Sequence, residues 1–317
     1  MYILNEGNFN FGNGEVSVYN TDTKQVTNNL FQTANSYSLG DVVQSMYVQD
    51  SLAYIVVNNS RKIEVVKLPS FQKKRTIAIP ASSPRYFLPL NDSIALVTEL
   101  YAKKIWVLNY LTGNIVTTIT TQGWTENMLM INNSVYVQQK KIFGVAGSSA
   151  ALLQINISNY SIQNTVSFNG RDINGIAKDK LNRIWVAVEE DSTQNLHAGF
   201  YCLDENLAEQ KSFFYSNYNH HPSRLCIDSK GEQLYFADKD VYRFSINVST
   251  MPSSNFISAA GKNIYSLAVH SVSDEIYFSD AIDFVQNSII YRYDTQGTLI
   301  HSFTAGVISG NYSFVYE

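Results

Sequence analysis

Charge is scarce in this chain. Asp, Glu, Lys and Arg make up 16% of the 317 residues, and the net charge is −4. No block of Lys and Arg and no acidic tail breaks the pattern, so the basic footprint that tracks nucleic-acid phosphates is missing. Cysteine is nearly absent too: Cys202 and Cys226 both sit inside apolar alternating segments. Two cysteines form neither a disulfide framework nor a metal knuckle, which leaves buried thiols or one pair across neighbouring strands. No apolar run approaches the roughly 18 residues that a membrane-spanning helix needs. The opening "MYILNEGN" goes straight into a strand pattern, without a secretory leader.

Helical periodicity and catalytic motifs are also missing. There is no nucleophile elbow, HExxH, calcium loop, Walker loop or CxxC. "GNFNFGNG" is Gly-rich but joins strand to strand, offering no helix N-terminus to a phosphate. "GVAGSSA" lacks the phosphate-binding Lys. Both read as loops.

What the chain does have is apolar surface and a repeat. Hydrophobic residues make up 45% and aromatics 13%, enough to bury one large all-β core or two smaller ones. One kind of run recurs: "YILNEG", "AYIVVNN", "IALVTEL", "VYVQQK", "IWVAVEE", "LYFADK" and "IYFSDA". Anchored on Tyr2, Tyr54, Ala95, Tyr136, Trp185, Tyr235 and Tyr277, the steps are 52, 41, 41, 49, 50 and 42 residues. A period of about 40–50 residues of pure strand signal marks propeller blades of four strands each. A short apolar strand precedes six of the seven anchors, and a third strand follows every one. The missing first strand is expected from "YSFVYE" at the C-terminus, which would pair with the N-terminal blade and close the ring. Closure would cover two sheet edges, so C-terminal truncation should be disproportionately destabilising. A split into two domains near Ser148 is the alternative, but the repeat runs through that point without a linker. The fold class expected is all-β: one seven-bladed propeller of four-stranded blades over 1–317.

Turns from first to second and from third to fourth strand are short and rich in Asp, Asn, Ser and Gly, as tight turns demand. The opposite face carries longer, uneven loops with Phe, Tyr and Trp, among them 5–14, 31–44, 120–127, 139–150, 168–174, 189–199 and 215–224. Aromatics in such loops cap the core or recognise partners; converging on one face, they point to binding. The residues entering each first strand lie nearest the axis: Gln44, Arg85, Glu126, Asn174, Ser223, Tyr265 and Tyr312. Tyr86, Trp124, Asn127, Arg171, Asp172 and Arg224 lie close beside them. This mixed ring suits a neutral or zwitterionic ligand rich in amides or hydroxyls better than a phosphate or a polyanion. His197, His220 and His221, with Glu189, Glu190 and Asp191 nearby, form the one weak candidate cluster for a metal or acid–base chemistry. No cofactor is expected.

The words "LNEGNF" and "LGDVVQSMYVQDSLAYIVVNNSRKIEVV", and the grammar of "YIVVNNSRKIEVV", resemble the YVTN-type repeats of seven-bladed surface propellers. Those proteins occur as outer-membrane lipoproteins of gut anaerobes, and some capture cobalamin for vitamin B12 transporters. The resemblance implies a lipid-anchored, cell-surface binding protein that hands a small molecule, such as a corrinoid, to an outer-membrane transporter. A protein–protein scaffold and a metal-dependent lactonase- or lyase-like enzyme are the competing readings. The scaffold predicts a flat apolar patch. The enzyme needs several axial ligands, where the ring provides Glu126 with Asp172 close by.

Overall fold

In the computed structural model, which describes residues 1–145 and 148–315, seven antiparallel sheets stand around an axis. The repeat anchors are the second strands: Tyr2–Asn5, Leu52–Val57, Ile94–Glu99, Ser134–Lys140, Ile184–Val188, Gln233–Asp238 and Ile276–Asp280. Each is covered on both faces by neighbouring blades, so it reads as an unbroken apolar run instead of an alternating one. In blade 2, Ala53, Ile55 and Val57 pack toward blade 1, while Tyr54 and Val56 pack toward blade 3. Seven apolar clusters result, one between each pair of neighbours.

The ring closes at the C-terminus, as expected, but with a shifted strand. Ser309–Ser313 pairs with Tyr2–Asn5, so the closing strand starts three residues before "YSFVYE". Tyr316 and Glu317, at the end of that stretch, lie outside the described residues. Ser309 is the clasp: its Oγ donates to Asn5 Oδ1 at 2.7 Å, and its carbonyl accepts from Ser266 and Ser279 hydroxyls of blade 7. This seam buries only Ile3, Tyr19, Tyr277, Ile290 and Ala305 among the described residues. Polar contacts supplement it, notably Arg292, which is bidentate to Glu275 and donates to the Thr21 carbonyl at 2.8 Å.

Two local features depart from the expected pattern. Blade 6 has three strands, and its fourth position is filled by a single bridge between Val241 and Ile257. The segment that should supply the strand contains Pro252 amid serines, which removes a ladder donor and weakens pairing. The stretch expected as a loop over 31–44 opens instead with a short helix, Leu30–Asn35, whose first amides are capped from outside: Glu15 accepts from Phe31 N and Gln32 N at 3.0 and 2.9 Å. Cys202 and Cys226 are both free, and burial pushes their thiols up to about 11 and about 12.

Candidate functional site

Every innermost strand is interrupted at one level. Pairing with the second strand shifts register at Gly310 in blade 1, Gln44 in blade 2, Arg85–Tyr86 in blade 3 and Glu126–Asn127 in blade 4. It shifts again at Asn174 in blade 5, Arg224–Leu225 in blade 6 and Tyr265 in blade 7. A bulge releases a residue from the ladder and re-aims its side chain. Seven bulges at one height therefore build a ring of freed side chains around the axis. Five of the seven positions expected nearest the axis are bulged: Gln44, Arg85, Glu126, Asn174 and Tyr265.

Blades 1 and 6 differ from the expectation. In blade 6 the bulged residue is Arg224, not Ser223, and it adopts φ 55, a left-handed conformation that an arginine takes only under constraint. In blade 1 Tyr312 stays in the ladder opposite Ile3, and its hydroxyl lies within hydrogen-bond distance of Ser266 Oγ, at 3.0 Å. The bulged position there is Gly310, where a Cβ would come within 2.3 Å of Glu6 Oε1. Glu6 thus supplies the side chain that blade 1 lacks. Sequence reasoning missed it because it follows a second strand, out of step with the other six blades.

Two hydrogen-bonded groups span the ring. Arg85 donates through Nε to both Glu126 oxygens at 3.1 and 3.0 Å, and through Nη1 to Gln44 Oε1. Across the axis Tyr265 donates to Glu6 Oε2 at 3.0 Å, and the Arg224 guanidinium lies 5.0 Å from the Tyr265 ring. Burial pushes the Glu6 carboxyl above its ordinary range, against the opposing pull of Arg85, Tyr265 and Arg224. Burial likewise raises the Tyr265 hydroxyl, and Glu6 adds to the shift.

The ring surrounds a central cavity of about 710 Å³. Arg85, Tyr86, Trp124, Glu126, Asn127, Asn174, Arg224 and Tyr312 line it. Gln44 and Tyr265 stand behind, holding Arg85 and Glu6. A second cavity of about 700 Å³ opens beside it between the loops of blades 4 and 5, and Trp124 and Glu189 belong to both. Asp172 lines this outer cavity; burial raises its carboxyl, and Lys140 at 3.9 Å opposes that. Arg171 lines it too, but its guanidinium turns into blade 5, donating to the His197 carbonyl at 2.9 Å and stacking over Phe214. It works as a structural tie.

The histidines do not assemble. His220 Nδ1 lies 2.6 Å from Asp238 Oδ2 with the ring stacked on Tyr215, while His197 packs on Tyr218. His221 lines the central cavity. Among the described residues no group of three or more His, Cys, Asp or Glu side chains is placed to hold a metal ion.

Comparison with known proteins agrees on the architecture. A quinoprotein alcohol dehydrogenase-like protein of Bacteroides thetaiotaomicron is similar at a TM-score of 0.73 and 14% identity, over 96% of this chain and 75% of that one. Hydrazine synthase of Kuenenia stuttgartiensis is similar at 0.67 and 13% identity, over 88% and 89% of the two chains. Virginiamycin B lyase of Staphylococcus aureus is similar at 0.62 and 13% identity, over 82% and 83%. At such identities the likeness concerns the fold alone. No curated protein matches the sequence. The chain is a seven-bladed propeller, and with residues 1–310 matching the domain of unknown function DUF5074, it belongs to that family.

Proposed function

We propose that this propeller binds a small molecule in its axial cavity and that the site is the bulge ring. The observation that carries this reading is the Trp124 indole. Its Nε1 is buried without a hydrogen-bond partner in the wall shared by the two cavities. A buried donor left unmet costs about 1–3 kcal/mol, and a small shift of the cavity wall would bring the indole N–H to a ligand acceptor and remove that cost. The other tryptophans show the contrast: Trp106 Nε1 donates to Glu99 and Trp185 Nε1 to Asp179, both at 2.9 Å. A volume near 700 Å³ lies within the range of small-molecule sites, about 300–1,000 Å³.

A ligand rich in amides and hydroxyls fits the ring, and a corrinoid is the candidate that the resemblance to YVTN-type surface propellers implies. Being larger than either cavity, it would occupy both across Trp124. The same resemblance implies a role at the cell surface, with lipid anchoring and delivery to an outer-membrane transporter. One observation favours the scaffold as second reading: Phe9, Phe11, Tyr101 and Phe143 of the long loops are exposed. Calorimetric titration with cyanocobalamin, with trace metals assayed on the same sample, separates these readings. One-to-one binding without metal supports capture. Stoichiometric metal without binding supports an enzyme, and neither result leaves the scaffold.

A further inference from the structure

Hydrogen-bonding capacity around the axis is lopsided. The asparagines lining the central cavity have their oxygens engaged: Asn174 Oδ1 accepts from Lys140 Nζ at 2.8 Å, and Asn127 Oδ1 from Met128 N at 2.9 Å. Asn311 Oδ1 accepts from Tyr312 N at 2.9 Å. An ammonium and two backbone amides only donate, so these contacts fix the amide orientation and leave the NH2 groups to the cavity. Glu126, the carboxylate of the ring that lines the cavity, is occupied by Arg85. Arg224 is exposed and, among the described residues, makes no hydrogen bond or close ion pair; it lies over the Tyr265 ring and acts on the Glu6 carboxyl only at longer range. Trp124 Nε1 is another unmet donor, buried in the wall and reachable by a ligand once that wall shifts. Two groups run the other way. Gln138 donates its amide to the Ile173 carbonyl at 2.8 Å, and Glu189 stands at the junction with the outer cavity.

We propose that the axial site recognises an acceptor-rich ligand carrying one negative charge, with its anionic oxygens on the Arg224 guanidinium and carbonyl-type acceptors on Trp124 and the asparagine amides. This rests on the binding reading above and names the ligand class for it. A guanidinium fork matches a carboxylate or a phosphodiester bidentately. The strained backbone at Arg224 aims that fork at the cavity, where a relaxed ladder residue would remain paired. One free arginine selects a single charge. A polyanion would meet Glu126 and Glu189.

The test is ligand-observed NMR with matched pairs: small carboxylic acids beside their primary amides, and dimethyl phosphate beside trimethyl phosphate. Wild type, Arg224→Gln and Arg224→Lys are compared. The charged member of each binding pair should bind about tenfold more tightly to wild type. Arg224→Gln should erase that preference, and Arg224→Lys should retain part of it. Which pair responds tells a carboxylate ligand from a phosphodiester. Equal binding of charged and neutral members, or a preference that survives Arg224→Gln, overturns the charge assignment while the cavity remains a binding site. Binding of no member to wild type overturns both.

Discussion

Arg85→Ala tests whether the bulge ring is held by ion pairing or merely decorated by it. The pair is largely buried, with side-chain exposures of 19% for Arg85 and 11% for Glu126, and Arg85 Nη2 lies 2.9 Å from Glu126 Oε1. Removing one partner of a buried pair costs about 3–5 kcal/mol, because the other charge stays behind without compensation. Residual solvent contact places this pair at the low end, about 3 kcal/mol. Gln44 adds to the loss, since its Oε1 is held by Arg85. Glu126→Ala should cost somewhat less, because the freed guanidinium keeps Gln44. The double variant should cost less than the sum of the singles by about 2 kcal/mol, the coupling expected of residues in one network. Guanidinium unfolding followed by tryptophan emission measures each value, provided the slopes stay equal. Additivity within about 0.5 kcal/mol would refute the reasoning and reduce the pair to surface decoration.

Other outcomes follow from the same geometry. Asp179→Ala removes the acceptor for Trp185 Nε1, Arg183 Nε and the amides of Leu181 and Arg183, so it should cost about 3–5 kcal/mol by thermal or chemical unfolding; a loss below 1 kcal/mol would contradict that role. Glu6 has its carboxyl raised on folding, so stability from its neutral form is full below the unfolded value near 4.5 and is lost as pH rises through the folded value. Melting curves at several pH values should therefore show Glu6→Gln gaining on wild type as pH rises, and parallel curves would count against it. Truncation before Ser309 should leave Tyr2–Asn5 as an open edge next to the thinnest seam, seen as a broadened, lower transition and aggregation on heating; an unchanged melt would refute closure at this strand.

Much of this was legible in the sequence because of one physical fact: a strand sandwiched between two blades must be apolar on both faces. "AYIVVNN" and its six counterparts carry that mark, and their spacing gives the blade count. The ring was partly legible for a related reason. Residues entering a first strand, such as Arg85 and Asn174, break the apolar pattern just where the bulge frees them. The exceptions have local causes. Glu6 was hidden because blade 1 takes its ring side chain from another strand, over a glycine that makes room. Arg171 carries a charge in the right stretch of chain, yet its guanidinium turns inward, a choice of rotamer that composition does not record. Blade 6 looked four-stranded because its first three strands match the repeat, while the Pro and Ser of its last segment act only on pairing.

The central claim is that the bulge ring is a ligand site, and the most direct measurement is calorimetric titration of cyanocobalamin into wild type and into the Trp124→Phe/Arg224→Gln double variant. Both substitutions leave the Arg85–Glu126 and Glu6–Tyr265 contacts in place, so the variant should stay folded, with a single cooperative melt. The account predicts one-to-one binding to wild type and a loss of at least tenfold in the folded variant. Equal affinity for both proteins, or no heat with either, would contradict it.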